Sequence, residues 1–154
     1  MPAAQGSSPD IASLECHSGQ MRINSRALDR FDVVSWQRIA ERVSEWTAPH
    51  SPVMAEIVAS IQASAVDQMA GFMSMHDLAV TTTPVPDIGP IDVIWIRPQP
   101  SNGPDSQQVL IEHCPATGWD DRIMRPAPEA VSLFWRFARE KWGIEPARGR
   151  ASKQ

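Results

Sequence analysis

Strand-forming segments follow one another through the second half of the chain, with turns but no helix-forming segment between them. Residues 91–97 are the strongest of these, because β-branched and aromatic side chains dominate them. With residues 107–114 they predict a hairpin, to which residues 121–125 could add a short third strand. Residues 78–85 also favour a strand, although their prolines restrict it to a sheet edge. Because parallel strands need long, usually helical crossovers, this order predicts a three-stranded antiparallel meander.

Two helices are predicted before the strands. Residues 26–46 carry apolar side chains at three- and four-residue steps. Ser51 followed by Pro52 is typical of a helix start, and this second helix should cover about residues 52–70, with Gly71 just beyond its end. Joined by a short break that contains a proline, the two helices should pack as an antiparallel hairpin.

A third helix is predicted at the end of the chain. Residues 126–129, Pro-Ala-Pro-Glu, place prolines and an acid at its first turn, and Gly143 followed by Pro146 marks its end. Its apolar stripe consists of Val131, Phe134, Ala138 and Trp142. The predicted fold is therefore α+β: an N-terminal helical hairpin, a three-stranded antiparallel meander and a C-terminal helix packed on one face of the sheet.

The length of 154 residues predicts a single domain. Residues 1–20 are rich in Ala, Ser, Gly and Pro and lack apolar periodicity, so we expect a disordered leader there. Residues 21–146 should form the α+β domain. Residues 147–154 contain basic side chains and no acid, and we expect a basic disordered tail.

The charge of the whole chain is −4 at neutral pH, which gives no general attraction to nucleic acid or to anionic membranes. We therefore expect neither as a partner of the domain. No apolar run is long enough to span a membrane, and the first residues do not resemble a signal peptide. Two cysteines do not make a disulfide framework. These features predict a cytoplasmic protein with reduced thiols, and the excess of arginine over lysine is typical of a GC-rich bacterial genome.

The stretch from His113 to Arg122 holds most of the residues that could carry chemistry. Cys114 at a strand end invites comparison with the cysteine phosphatases, in which a thiolate and an arginine hold a phosphate group together. Here residues 115–121 separate Cys114 from Arg122, and Asp120 stands where that chemistry needs the arginine. Since a carboxylate would repel phosphate, phosphatase chemistry is not predicted.

Zinc is a second possibility, because Cys16-His17 and His113-Cys114 together supply two cysteines and two histidines. Adjacent residues on a strand point to opposite faces, and the ligand spacings of structural zinc sites do not occur. The motifs of phosphate-binding loops and of calcium-binding loops are missing from the sequence as well. We therefore expect no metal and no other cofactor.

Polar side chains cluster at the base of the predicted hairpin: Glu112, and the four residues His113, Asp120, Asp121 and Arg122. A histidine beside carboxylates could act as a general base. Ionised side chains on a turn are, however, commonly just solvated. We assign no catalytic residue and interpret these four as candidates for a partner-binding surface.

Two of the six tryptophans are further candidates for that surface. Trp119 lies in a turn beside charged residues, and Trp135 flanks the stripe of the last helix. Exposed tryptophan is typical of interface hot spots. We expect the other four in the core: Trp36, Trp46, Trp95 and Trp142. The methionine-rich segment 69–75 should also be core, with Met73 and Met75 as the exceptions.

These observations favour a non-catalytic cytosolic protein-interaction or regulatory domain, with an accessory, immunity-like or chaperone-like role. It would bind a protein partner or a second copy of itself through the sheet face opposite the helices, through the loop at 98–106 or through exposed tryptophans. The alternative is a small enzyme or small-molecule-binding domain with a pocket between sheet and helices near His113, using Asp120 or Asp121. Nucleic-acid binding through the basic tail is a third hypothesis, and it predicts salt-dependent binding.

Overall fold

The computed structural model describes residues 34–47, 51–87, 90–101, 106–116 and 121–148. The predicted leader, residues 1–20, and the tail beyond residue 148 lie outside the described residues. The described part of the chain contains helix α1 (Trp36–Arg42), which continues into a π-helical turn (Val43–Thr47), and helix α2 (Pro52–Ser64) follows. After the sheet, a 3-10 turn (Ala127–Glu129) leads into helix α3 (Ala130–Trp142).

Five antiparallel strands form one sheet in which the spatial order equals the chain order. They are β1 (Met69–Ser74), β2 (Asp77–Thr82), β3 (Val93–Pro98), β4 (Gln108–Cys114) and β5 (Asp121–Pro126). The predicted α+β class is confirmed. The prediction of a three-stranded meander is wrong, because the described residues form five strands: β2 corresponds to the strand expected at residues 78–85, and β1 was not predicted.

The predicted N-terminal helical hairpin does not match the structure. The first helix starts at Trp36, where the Ser35 hydroxyl caps it by accepting from the Arg38 amide at 3.3 Å. The second helix ends at Ser64 and not near residue 70, and the chain turns at once into β1. Gly71 lies in β1 and not beyond a helix end.

Close packing against α1 explains why this position of β1 is a glycine. Gly71 lies opposite Val80 in β2, on the side of the sheet that faces the helices. A Cβ atom added there would lie 2.6 Å from Cδ1 of Ile39 and 2.8 Å from the Trp36 ring. The glycine therefore lets α1 approach the backbone of β1, a tertiary contact that local sequence signals do not reveal.

The predicted C-terminal helix and its end are confirmed. Gly143 adopts a left-handed backbone conformation with φ of 69°, and its amide donates to the Arg139 carbonyl at 2.9 Å. The Ile144 amide donates to the Ala138 carbonyl at 3.3 Å. These two bonds satisfy carbonyls that a helix end leaves without partners, and Ile144 itself is buried.

The main core lies between the helices and one face of the sheet. Alternate strand residues supply its sheet side, among them Leu78, Val80, Ile94, Ile96, Val109 and Ile111. The helices supply Ile39, Ile57, Ile61, Phe134 and Phe137, all of them buried. The other face of the sheet, which we call the distal face, carries a separate buried cluster whose described members all lie outside the helices: Ala70, Ala79, Ile91, Val93, Trp95 and Cys114.

Three predictions about large side chains can be compared with these cores. Trp36 and Trp95 are buried as predicted, and Trp142 is partly buried; the side chain of Trp46 lies outside the described part. Met75, in the turn between β1 and β2, is 87% exposed, as predicted. Met73 is buried, so the prediction that it is an exception to the core is wrong. Among the described helices, none combines the length and the apolar character that crossing a membrane requires.

Candidate functional site

The hairpin of β4 and β5 divides the predicted polar cluster between the two faces of the sheet. His113 lies opposite Asp121, and the neighbouring Glu112 lies opposite Arg122. Because successive strand residues point to opposite faces, His113 and Asp121 lie on the helix side, whereas Glu112 and Arg122 lie on the distal face. The predicted surface is therefore two separate groups of residues.

The first group joins His113 to the end of α3. Its Nε2 atom lies 2.6 Å from Oδ1 of Asp92, and the indole N–H of Trp142 donates to the same oxygen at 3.2 Å. The two rings meet edge to face, with their centres 6.5 Å apart. The Asp92 backbone carbonyl accepts from the Thr81 hydroxyl at 2.6 Å. Asp92 thus connects β2, β4 and α3.

Asp121 takes part in a second link between β5 and α3. Its carboxylate lies 3.0 Å from Nζ of Lys141, and both side chains are partly exposed. The histidine side chain of the first group is only 8% exposed, whereas Asp92 is 40% exposed. A pair of a histidine and a carboxylate can orient a general base that acts through the second ring nitrogen, but burial of the His113 side chain leaves that nitrogen little access to a substrate. The arrangement is well suited to fastening α3 to the sheet.

A surface cavity of about 490 Å³ lies near this group. Trp142 and Ile144 line it from the end of α3. Gln68, which directly precedes β1, and Thr83, which directly follows β2, line it from the sheet. His113 is not one of its lining residues. Among the described residues, Trp142 is therefore the one that both lines the cavity and belongs to the histidine group.

The second group is a row of charged residues across the distal face, which we call the charge row: Asp77, Arg97, Glu112 and Arg122. Arg97 donates from Nη1 to Asp77 at 2.7 Å and from Nε to Glu112 at 3.0 Å. The Arg122 guanidinium lies 3.9 Å from the other oxygen of Glu112. Glu112 is only 3% exposed. A carboxylate withdrawn from water in this way is stabilised only when it is paired and hydrogen-bonded.

Two apolar side chains lie next to the charge row on the same face. Leu110 and Met124 are opposite each other on β4 and β5, and Arg97 is opposite Leu110 on the other side. Leu110 is partly buried, and Met124 is 44% exposed. We call Leu110, Met124 and Arg122 the distal patch.

The other predicted surface residues have different surroundings. Trp135 is only 7% exposed, and its indole N–H donates to the Ser60 hydroxyl at 3.0 Å, which ties α3 to α2. The exposed area of Trp135 is therefore too small for a major contact with a partner, contrary to the expectation that its indole is exposed. Trp119 and Asp120 lie outside the described residues, as do residues 102–105 of the predicted loop.

Cys114 differs from its prediction as well. It is only 1% exposed, and its sulfur is part of a disulfide bond, so the expectation of a reduced thiol at this position is wrong for the structure. A disulfide sulfur is neither a thiolate nucleophile nor a ready zinc ligand. Cys16 and His17, the other half of the zinc hypothesis, lie outside the described residues. Among the described residues, no group of three or more His, Cys, Asp and Glu side chains could hold a metal ion.

The residues that sequence reasoning missed are Asp77, Asp92 and Arg97. One signal was available, since strict alternation within residues 91–97 places Arg97 on the same face as Trp95. The Arg97 guanidinium lies 4.5 Å from the centre of the Trp95 ring. The acidic partners come from neighbouring strands, whose register only the folded sheet reveals.

Comparisons with known proteins add no family to this picture. No protein-family model matches the chain, and neither the curated proteins nor the solved structures include a match. The functional argument therefore depends on the geometry of the described residues.

Proposed function

We propose that this chain is a non-catalytic protein-interaction or regulatory domain that binds a protein partner through the distal patch. One observation carries the proposal: an apolar pair, Leu110 and Met124, lies on the distal face of the sheet beside Arg122, whose side chain is 44% exposed. An apolar centre with an arginine at its rim is the composition typical of protein interfaces. The complementary partner presents an apolar side chain next to a carboxylate.

The charge row lies beside this surface and connects β2, β3 and β4. The Glu112 carboxylate lies between the guanidinium groups of Arg97 and Arg122 in the charge row, and the hydrogen bond of 3.0 Å from Arg97 orients the carboxylate. Arg122 is bound more loosely at 3.9 Å and is 44% exposed, so its donors remain accessible to an incoming carboxylate. Binding groups that are held in place before the partner arrives lose less conformational entropy on association.

Side-chain docking fits this surface better than the addition of a strand or the pairing of two copies. β5 is an edge strand, but Asp121, Arg122 and Arg125 place charges along it, and such charges disfavour edge-to-edge pairing. In a symmetric dimer the same patch would meet itself. Two Arg122 side chains would then approach each other, which favours a partner different from this chain.

A small-molecule function near His113 is the alternative. The observation that favours it is the position of Trp142, which contacts His113 and also lines the cavity of about 490 Å³. The imidazole itself is buried and bonded to Asp92. We therefore place this function second.

Affinity capture from an extract of the native host tests the proposal when it is paired with matched variants. Met124→Glu places a charge in the distal patch, and Val66→Glu does the same at a site with the same exposure, 45% against 44%. We expect one stoichiometric protein, identified by mass spectrometry, to be retained by the parent chain and by Val66→Glu and lost with Met124→Glu.

Several results would contradict the proposal. These are retention of the protein by Met124→Glu, equal loss with both variants, recovery of only a second copy of this chain, or a monomer that carries a co-purified small molecule.

The proposed compartment is the cytoplasm, where disulfide bonds are rare. The redox state of Cys114 therefore tests the compartment separately from the binding surface.

A further inference from the structure

A cleft lies between α3 and the segment that follows it, away from both groups described above. Its volume is about 310 Å³, and its lining includes Ser132, Trp135, Arg136, Arg139, Glu145 and Arg148. We call it the arginine cleft. It shares no residue with the distal patch, so binding at the arginine cleft is independent of the proposed function.

The cleft is a consequence of how α3 ends. The left-handed conformation of Gly143 reverses the chain, and the buried side chain of Ile144 holds the returning segment against the core. Ser132, Arg136 and Arg139 follow one another at steps of four and three residues, which places them on one side of the helix. The walls of the cleft are thus built on a helix and its cap.

The charge of the cleft is opposite to that of the chain. Three guanidinium groups line it, whereas the whole chain has a net charge of −4. The hydrogen bond from Arg136 to Glu140, 2.9 Å long, raises the pKa of that arginine, which keeps it charged. Within the described part of the chain, neither Arg139 nor Arg148 has an ion-pair partner, and Glu145 is the one acid among the described lining residues.

We propose that the arginine cleft binds a small anion that carries a phosphate group. Each guanidinium presents five N–H donors in a planar fork that matches phosphate oxygens. Arg139, Arg148, the Ser132 hydroxyl and the N–H groups of Arg136 other than the one bonded to Glu140 offer more donors than the roughly four acceptor sites of a carboxylate, whereas a phosphate group supplies three or more acceptor oxygens. The volume is near the lower end of small-molecule sites, which are roughly 300–1,000 Å³.

A nucleic acid fits the same residues less well. Its binding depends on many phosphate contacts along an extended basic surface. The negative net charge of the chain and the carboxylate of Glu145 oppose such a contact. Binding to DNA is therefore an outcome that the experiment must separate from binding of a small phosphate.

Calorimetric titration of the full chain with pyrophosphate tests the proposal. The informative variants are Arg139→Gln and Arg148→Gln, and the control is Arg42→Gln, which removes an exposed arginine of α1 remote in sequence from the cleft. We expect each cleft variant to bind pyrophosphate at least about tenfold more weakly, the loss of one charge-assisted contact. The control should bind as the parent chain does. Glu145→Gln should bind more tightly, because it removes the opposing charge from the cleft.

The proposal is overturned if pyrophosphate does not bind, if Arg42→Gln weakens binding as much as the cleft variants do, or if Glu145→Gln weakens it. Titration with a short DNA duplex supplies the remaining comparison. Tighter binding to the duplex than to pyrophosphate, lost with Arg139→Gln and steeply dependent on salt, would replace the small anion by nucleic acid as the ligand. All of these arginines are exposed, so thermal unfolding should show unchanged stability in the variants.

Discussion

Arg97 donates a hydrogen bond of 3.0 Å from its Nε atom to Oε2 of Glu112 on the neighbouring strand, and both side chains are largely withdrawn from solvent. Removing one partner of a buried ion pair costs about 3–5 kcal/mol, and the Arg122 guanidinium, 3.9 Å from Glu112, would offset only part of this loss. Arg97→Met should therefore lower the free energy of unfolding by roughly this amount, measured by urea denaturation.

The double variant Arg97→Met, Glu112→Leu provides the control. It removes both charges and keeps the volume of the side chains, so its stability should lie well above that of Arg97→Met alone, by about 2 kcal/mol or more. If the two substitutions were simply additive, the coupling between Arg97 and Glu112 would be absent and the charge row would not be a cooperative unit.

The charge row also shows where sequence reasoning ends. Alternation along residues 91–97 places Trp95 and Arg97 on one face, and this could be predicted from local order alone. The pairing of Arg97 with Asp77 and Glu112 depends on the register of three strands. Turns and burial set that register, and both are properties of the whole sheet. Arg122 of the distal patch was predicted as a surface candidate, whereas Leu110 and Met124 were not, because their pairing depends on the same register.

The contrast between α3 and β1 has a similar cause. Local signals mark α3, because Gly143 and Pro146 end it whatever packs around it. In β1, by contrast, Met69 and Met73 fit the spacing of a helix and the alternation of a strand equally well. In the strand conformation Gly71 packs against Trp36 and Ile39 of α1, which are distant from it in sequence. A local pattern does not reveal such a contact.

Gly71→Ala should test that contact directly. The new methyl group would lie 2.6 Å from Cδ1 of Ile39 and 2.8 Å from the Trp36 ring, in a fully packed part of the core. Overpacking of this kind costs about 1–3 kcal/mol. Thermal or urea unfolding should show that loss. Adding Ile39→Val, which removes the Cδ1 atom, should cost less in the Gly71→Ala background than in the parent chain; an equal cost in both would show that α1 does not press on β1.

Trp36 and Trp95 form a matched pair for measuring a buried hydrogen bond. Both are nearly fully buried, but the indole N–H of Trp36 donates to the Met69 carbonyl at 2.9 Å, whereas that of Trp95 has no hydrogen-bond partner among the described residues. Trp36→Phe should therefore destabilise the chain by about 1 kcal/mol more than Trp95→Phe does. Equal losses in urea unfolding would mean that the Trp95 N–H is satisfied in solution.

Cys114 permits a chemical test of its disulfide bond. Alkylation in urea without a reductant should leave Cys114 unmodified, and alkylation after reduction should modify it, as read by the mass of the peptide that contains it. Unfolding in urea is needed because the native residue is only 1% exposed and would resist the reagent in either redox state. Modification before reduction would show a free thiol, which would agree with the cytoplasmic compartment and contradict the disulfide.

The link between Trp142 and Asp92 predicts how firmly the end of α3 is held. Trp142→Phe removes the N–H that Asp92 accepts at 3.2 Å but keeps an aromatic ring against His113. The expected loss of stability is about 1 kcal/mol. Because the change is local, amide hydrogen exchange in the last turn of α3 should accelerate more than exchange in the sheet. Lys141→Gln is the comparison, since it breaks a more exposed pair with Asp121 and should cost less than about 1 kcal/mol. If Lys141→Gln accelerated exchange in the last turn more than Trp142→Phe does, the ion pair of Lys141 with Asp121, and not the hydrogen bond from Trp142 to Asp92, would be what holds the helix to the sheet.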